Sequence, residues 1–285
     1  MNILDDLKLQ YKTGGMTQKL IFWNIGFFLL SLVFFYSFST ATFSFPHWIA
    51  LSSNFKTFII NPWTIITFNF FHAGFLHLIF NLLVLHFSGR LFSTYFTDKQ
   101  LFGVYILGGI FSGITFVLTY FIFGKSSFLL GASGAIMAIL LATATYAPFM
   151  LLRMPLIGVV KLWHVAFVIL LIDLIQLPLS NTGGHIAHLG GAIFGFFYIK
   201  LLQKGTDLTK PVSLFLEKIN SLFQPKKKTP FKKVHRNTRK NVVNSYTPNK
   251  DFTQKQIDDI LDKISKSGYD SLTKDEKEFL FKAGK

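Results

Sequence analysis

Five long stretches without a charged residue constrain this chain more than any other feature. They cover residues 20–55, 57–89, 100–124, 126–152 and 174–199. An α-helix needs roughly 20 predominantly apolar residues to cross the hydrocarbon core of a bilayer. The helices of a soluble domain would also need polar faces, which these stretches lack. The sequence therefore predicts an integral, multi-pass membrane protein of the all-α class.

We predict six spanning helices, at about residues 20–38, 72–91, 101–123, 131–150, 157–177 and 184–202. The first could pass for a signal peptide, because Lys19 precedes an apolar run. That run is longer than the usual hydrophobic region of such peptides, so we expect a retained helix. The chain has no cysteine, which excludes disulfides and thiolate metal sites.

The distribution of basic residues predicts the orientation, because cytoplasmic loops carry an excess of Lys and Arg. If the N-terminus is cytoplasmic, the outer loops hold only Lys56 and Lys125. The inner segments then carry Lys8, Lys12, Lys19, Arg90, Lys99, Arg153, Lys161, Lys200 and Lys204. We therefore expect both termini in the cytoplasm, with residues 1–19 as a short N-terminal segment, and a location in a bacterial inner membrane.

The composition changes after the last span. Residues 1–199 contain nine Lys/Arg and four Asp/Glu, whereas the remaining 86 contain twenty and ten. We expect a six-helix membrane domain over 20–204, a basic, disordered linker over 205–250 and a small helical hairpin in the cytoplasm over 251–285. The run "PKKKTPFKKVHRNTRK" (225–240) predicts disorder. Beside a membrane it would contact anionic lipid headgroups; a solvated linker is the alternative, and we expect no nucleic acid as partner.

The last 35 residues regain helical signals. Thr253 with Gln256, and Thr273 with Glu276, have the spacing of capping boxes. Gly268 suits a helix end between them. These signals predict two short helices, whose function the sequence does not indicate.

The loop 39–71 is long, aromatic and nearly uncharged. We expect it in or on the outer leaflet, with Trp48 and Trp63 near the interface. An aromatic belt without further function is the alternative.

Three polar clusters interrupt the apolar helices, and ionisable or strongly polar groups at membrane depth are candidates for function. They are "FHAGFLHLIFN" with His72, His77 and Asn81, "LLGASGAIM" with Ser133 between Gly131 and Gly134, and "NTGGHIAHLGGAIFG" with His185 and His188. Each cluster also has a structural interpretation. His77 and Asn81 could bond between helices, Ser133 could bond to its own backbone, and the small residues of "GASG" could serve packing alone.

The three clusters together favour nucleophilic catalysis, because they supply complementary groups. A nucleophilic Ser needs a base within hydrogen-bond reach and donors for a developing oxyanion. Ser133 lies at the N-terminal end of its helix, where backbone N–H groups are free. All three clusters lie toward the outer ends of their helices, although the orientation was predicted from Lys and Arg only.

Glycine spacing distinguishes the two histidines. Gly184, His188, Gly191 and Gly195 have offsets of 0, 4, 7 and 11, which place them on one helix face. Small residues allow two helices to approach closely, and Gly131 and Gly134 would supply the matching surface. We therefore predict His188 as the base and His185 as a residue at the rim.

These motifs resemble the rhomboid intramembrane serine proteases over about residues 60–200. The resemblance rests on "GASG" with Ser133, on His188 followed by Gly191 and Gly195, and on His72, His77 and Asn81 preceded by Trp63.

The resemblance implies a six-helix fold and a Ser–His dyad without a third carboxylate, in which Ser133 is the nucleophile and His188 the general base. It implies an oxyanion hole of His77, Asn81 and the Ser133 backbone N–H, and a structural or hydrogen-bonding role for His72 near the entrance. The implied substrate is a transmembrane segment of another protein, cleaved through an acyl-enzyme, and no cofactor or metal is implied.

Thr64, Ser93 and Met137 stand where the family often has Arg, an acidic residue and an aromatic residue. Asp173, in the fifth predicted helix, has no assigned role beyond hydrogen bonding between helices. Two other functions are considered: a rhomboid-like protein that binds membrane proteins without cleaving them, and a small transporter. Inactive relatives lose Ser or His, and both residues are retained here. Broken helices at the midplane and internal repeats would favour the transporter interpretation, and the sequence has no repeat.

Overall fold

The computed structural model describes residues 2–155, 157–223 and 250–283. Within them the chain is mainly helical and divides into two units, residues 1–226 and 227–285. The helices are α1 (Ile3–Thr13), α2 (Met16–Phe34), α3 (Phe55–Ile60), α4 (Thr64–Thr67), α5 (Phe75–Phe92), α6 (Asp98–Ile122), α7 (Ser133–Tyr146), α8 (Leu162–Gln176), α9 (Thr182–Gln203), α10 (Lys210–Phe223), α11 (Lys250–Ser267) and α12 (Lys274–Ala283). Short 3-10 turns cover Phe68–Phe70 and Tyr269–Ser271.

Three two-stranded antiparallel pairs complete the first unit. They are β1 (Tyr36–Ser37) with β2 (Thr42–Phe43), β3 (Leu51–Ser52) with β4 (Phe128–Leu129), and β5 (Leu151–Met154) with β6 (Gly158–Lys161). In the second pair Leu51 lies opposite Leu129. The loop after α2 is therefore joined by backbone hydrogen bonds to the segment that leads into α7.

Four of the described helices, α2, α5, α6 and α9, are long and apolar enough to cross a membrane. Helices α7 and α8 are also apolar but have 14 and 15 residues. On α2 the side chains of Leu29, Val33 and Phe34 are more than half exposed. Such surfaces suit lipid rather than water. The chain is a multi-pass membrane protein, and the count of six spans stays a prediction.

Helix α7 lies at the centre of the bundle, where every residue from Gly134 to Leu140 is buried. It packs against α5, α6 and α9. On α2 the buried residues Thr17, Leu20, Asn24, Phe28 and Ser31 recur every three or four positions. Helix α2 thus contacts the rest of the protein along a single stripe, whereas α7 is in contact with protein over almost its whole surface.

Polar residues join the N-terminal part of the bundle. The Tyr105 hydroxyl on α6 donates to the backbone carbonyl of Asn69 at 3.0 Å. It also accepts from the Asn24 amide on α2 at 3.2 Å. Because all three groups are buried, these bonds satisfy atoms that hydrocarbon could not.

Several predicted boundaries differ from those observed, for local reasons. The expected 131–150 helix ends at Tyr146, because the residue before Pro148 disfavours helical backbone. The expected helix at 157–177 begins only at Leu162, because Gly158 (φ +93°) and the β-branched Val159–Val160 pair form the β5–β6 hairpin. Helix α6 begins earlier than expected, at Asp98, because Thr97 and Gln100 form a capping box.

The expected unstructured linker is wrong for residues 210–223, which form α10. Val212 and Leu216 are one turn apart and pack against the core of the first unit. Lys99 of α6 also forms an ion pair with Glu217. The basic run 225–240 lies outside the described residues.

The second unit contains α11 and α12. The Thr273–Glu276 capping box forms, since the Thr273 amide donates to Glu276 at 2.8 Å and the Glu276 amide donates back to the Thr273 hydroxyl. Gly268 follows α11 with a φ of +76°, as its position predicted. The predicted helix start at Thr253 is wrong, because α11 already includes Lys250.

Candidate active site

A cavity of about 850 Å³ opens between α5, α7, α8 and α9. Its wall includes the four residues predicted to react or to hold an oxyanion, which are Ser133, His188, His77 and Asn81. The loop between α2 and α5 supplies Phe43, Phe45 and Ala50, and β4 supplies Phe128 and Leu129. The sequence did not indicate this aromatic wall. Its residues are distant along the chain, and only the β3–β4 pairing brings part of the loop to β4.

Ser133 is half-buried and is the first residue of α7. Gly131 precedes it with a φ of +123°, which only glycine adopts without strain. The Gly131 amide donates to the Phe68 carbonyl at 3.0 Å, so the start of α7 is tied to the preceding loop. The first amide with an acceptor at this helix start is that of Ile136, which donates to Ala132. The N–H groups of Ser133 and the next two residues therefore have no acceptor within the helix.

His77 lies directly against the turn before Ser133. A Cβ atom added to Gly131 would lie 2.7 Å from His77 Cε1 and 2.8 Å from His77 Nε2. This distance is shorter than a van der Waals contact. The missing side chain of Gly131 is therefore what admits the imidazole next to the serine.

Asn81 and His72 support this arrangement from α5 and the turn before it. One N–H of the Asn81 amide donates to the His77 backbone carbonyl at 2.8 Å, so one of its two amide hydrogens stays available to the cavity. His72 is fully buried. Its ring lies edge-on to that of His77, with ring centroids 5.2 Å apart, and it lies outside the cavity wall.

Helices α7 and α9 approach each other through glycines. A Cβ atom on Gly191 would collide with the backbone carbonyl oxygen of Gly134, and one on Gly195 would collide with that of Ala138. Because neither glycine has a side chain, the backbones of α7 and α9 can lie directly against each other. Gly184 differs from the expected stripe, because a Cβ atom there would meet the side chain of Asn181 instead.

A carboxylate contacts both histidines of α9. Asp173 of α8 is 3% exposed, and its Oδ1 lies 2.8 Å from His188 Nδ1 and 2.8 Å from His185 Nδ1. The expectation that no carboxylate meets the imidazole of His188 is therefore wrong. The expectation that His185 lies at the rim is also wrong, because its side chain is more buried than that of His188. One feature of the sequence could have indicated this contact. Asp173 is the lone charged residue of α8, and an ionisable group at membrane depth needs a partner.

The trio of Asp173, His185 and His188 has two chemical uses. The three ligand atoms lie within 4.8 Å of one another, so a divalent metal could bind them. Asp173 Oδ2 is buried and makes no hydrogen bond to any residue that the structure describes. With Oδ1 accepting from each ring, Asp173 also fixes the orientation of both imidazoles, and all three side chains line the cavity.

No hydrogen bond joins the Ser133 hydroxyl to His188 within the described part of the chain. Hydrogen bonds between catalytic groups are often long in the absence of substrate and shorten when it binds. The side chains line one cavity, and the glycine contacts hold their helices together. The cavity thus offers a hydroxyl, an imidazole and candidate oxyanion donors in a mostly apolar enclosure.

The three positions that depart from the resemblance lie in different places. Met137 is buried and lines the cavity. Thr64 is buried and donates to the Asn61 carbonyl at 2.6 Å. Ser93 is exposed at the C-terminal end of α5. Of the three, only Met137 lines the cavity of the candidate site.

The apolar helices and this cavity define a multi-pass membrane protein with a serine–histidine site inside its bundle. The sequence profile of the rhomboid domain matches residues 61–205, slightly more than half of the chain. The chain therefore belongs to the rhomboid family.

Two further comparisons concern individual regions. The chain is 32% identical over 136 residues to presenilin-associated rhomboid-like protein A, mitochondrial, of Danio rerio. The match covers 46% of this chain and 35% of the relative, so the chain spans about a third of that protein's length. Residues 240–282 match a family of unknown function (DUF6576).

Proposed function

We propose that this chain is an intramembrane serine endopeptidase, which cleaves transmembrane segments of other membrane proteins. The observation that carries the proposal is the shared cavity. Ser133 lies at a helix N-terminus on its wall, together with the imidazole of His188 and the donors His77 and Asn81. Membership of the rhomboid family supports the same activity.

The proposed reaction follows the general logic of serine hydrolases. Ser133 Oγ attacks the carbonyl carbon of the scissile peptide while His188 takes its proton. The negative charge moves to the carbonyl oxygen, which accepts hydrogen bonds from His77, Asn81 and the Ser133 N–H. His188 then donates the proton to the leaving amine as the C–N bond breaks. Water hydrolyses the acyl-enzyme by the same steps.

The proposal extends to location and orientation. The bilayer presents the substrate, and the apolar parts of the cavity wall, such as Phe43, Phe45 and Phe128, suit an apolar segment entering from it. The excess of basic residues in the predicted inner segments supports cytoplasmic termini. A bacterial inner membrane stays an expectation, as does contact of residues 225–240 with anionic lipid.

Labelling with a fluorophosphonate tests the nucleophile without knowledge of the substrate. The purified full chain should be labelled, and Ser133→Ala and His188→Ala should each abolish labelling. Ser133→Ala should unfold at the wild-type temperature, whereas His188→Ala removes a donor to buried Asp173 and should still unfold cooperatively at a lower temperature. Ser88→Ala is the matched control, because Ser88 is a buried serine bonded to its own helix backbone. It should be labelled at the wild-type rate.

Two results would contradict the proposal. Absence of Ser133-dependent labelling in the folded wild type, together with failure to cleave a transmembrane test substrate, would favour the non-cleaving binder. His185→Ala should keep substantial labelling. If it were inactive while His188→Ala stayed active, the assignment of the base would be wrong.

A further inference from the structure

Asp173 is a charge in an unusual place. Helix α8, "LWHVAFVILLIDLIQ", carries no other Lys, Arg, Asp or Glu, and the Asp173 side chain is 5% exposed. A buried carboxylate is unfavourable unless hydrogen-bond donors compensate for the lost water. Its described partners are the two ring nitrogens of α9, each at 2.8 Å from Oδ1.

These two contacts select one tautomer of each histidine. An ionised carboxylate oxygen only accepts hydrogen bonds, so each Nδ1 must carry a proton. In a neutral ring Nε2 then holds the lone pair. For His188, whose ring lines the cavity together with Ser133, Nε2 is the nitrogen left to take a proton.

We propose that Asp173 is a positioning residue for His188, so that the site is a Ser133–His188–Asp173 triad rather than a dyad. The inference rests on the proposed function. Asp173 holds the Nδ1–H tautomer and the orientation of the ring while Ser133 Oγ forms its bond to the acyl carbon and its proton moves to Nε2. The carboxylate stays ionised and stabilises the imidazolium, and the proton leaves Nε2 with the departing amine.

His185 contacts the same Asp173 oxygen as His188, so the effect of Asp173 on His188 must be distinguished from its effect on His185. Its ring lies edge-on to that of His188, with centroids 5.8 Å apart. A structural alternative would be that Asp173 serves to anchor His185, and that its contact with His188 has no catalytic consequence. The titratable groups that line the cavity with His188 are His77, Asp173 and His185. A pH profile of the labelling rate therefore contains their ionisation as well as that of His188.

The first test is the rate of fluorophosphonate labelling of the full chain in detergent, with EDTA present because the trio could also bind a metal. Asp173→Asn keeps the shape of the side chain and should lower the labelling rate at least about a hundredfold, as loss of an orienting aspartate does in serine proteases. Asp98→Asn makes the same chemical change at the exposed start of α6 and should be labelled at the wild-type rate. Asp173→Asn labelled at the wild-type rate would overturn the proposal.

The second test reads the tautomer directly. Nitrogen-15 spectra of the histidine-labelled chain, with His188 assigned by its absence in His188→Ala, should show a protonated Nδ1 and an unprotonated Nε2 in the neutral ring. Asp173→Asn should move the proton toward Nε2. A wild-type ring protonated at Nε2 would overturn the proposal even if Asp173→Asn failed to fold.

The two tests separate this proposal from the proposed function. Failure of the proposed function removes Ser133-dependent labelling from the wild type itself. Failure of the triad leaves wild-type labelling intact and removes only the dependence on Asp173. Asp173→Glu keeps the carboxylate and should recover part of the labelling lost in Asp173→Asn. If the side chain only filled space, Asp173→Asn, which keeps its shape, would be labelled at least as fast as Asp173→Glu.

Discussion

The contact between α7 and α9 allows a quantitative prediction for Gly191→Ala. The added Cβ atom would lie 2.8 Å from the carbonyl carbon of Gly134 and 3.2 Å from its Cα, and nearer still to its oxygen. Carbon atoms in favourable contact are about 3.5–4.0 Å apart. The obstacle is backbone of a buried helix, so α9 must move away from α7 by about 1 Å. His188 moves with it.

A displacement of about 1 Å at a catalytic group can lower a rate about a hundredfold. We expect Gly191→Ala to lower the fluorophosphonate labelling rate of Ser133 by this order, and to reduce stability by about 1–3 kcal/mol through overpacking. Thermal unfolding of the purified protein measures the second effect. The matched control is Gly26→Ala on α2, where a Cβ atom would meet nothing within 4 Å.

The comparison of these two variants decides whether the glycines act through helix approach. Gly26→Ala should be labelled at the wild-type rate and be at least as stable as the wild type, because alanine favours a helix more than glycine does. Wild-type labelling and stability in Gly191→Ala would refute this explanation, because α7 and α9 would then have room for a side chain that their backbone contact excludes. Gly195→Ala, which would meet the Ala142 amide nitrogen at 2.9 Å, should change both properties in the same direction.

Three further changes test other parts of the structure. Gly131→Ala places a side chain at φ +123° and against a neighbouring imidazole, so it should abolish labelling, and a wild-type rate would contradict the proposed turn. Tyr105→Phe leaves a buried backbone carbonyl without its donor and should cost about 1–3 kcal/mol in thermal unfolding; an unchanged unfolding temperature would contradict this. The pKa of Glu276 lies below its usual 4.5, because its carboxylate accepts from the Thr273 backbone N–H and from Lys263. The capping contact should therefore stabilise α12 above pH 4.5 and be lost as the pH falls through the lowered pKa. A carbon-13 titration of its carboxyl group measures the midpoint, which Lys263→Ala should raise, and a wild-type midpoint at 4.5 would refute this.

Much of the membrane domain could be predicted because lipid imposes a simple requirement on sequence. A spanning helix must be apolar over about 20 residues, and five charge-free runs satisfied it. The boundaries were less predictable, because they depend on local backbone chemistry at Thr97, Pro148 and Gly158. The residues of α10 were missed because the surrounding basic composition concealed the spacing of Val212 and Leu216.

The candidate site could be predicted only in part. Chemistry and helical spacing indicated Ser133 and His188, and the glycine offsets indicated Gly191 and Gly195. The role of Gly184 was not predicted correctly, since helical offsets give a face but not the neighbour that the face meets. Asp173 was visible as an isolated charge, yet its partners lie on another helix.

The sequence by itself determined that this is a multi-pass membrane protein of the rhomboid family, and which residue types could react. Those properties follow from apolar length and motif spacing along one chain. Only the tertiary structure decided that Asp173 meets both histidines, that His185 is buried, and that loop aromatics enclose the cavity. These are contacts between separate segments, and their distances depend on how closely the helices pack.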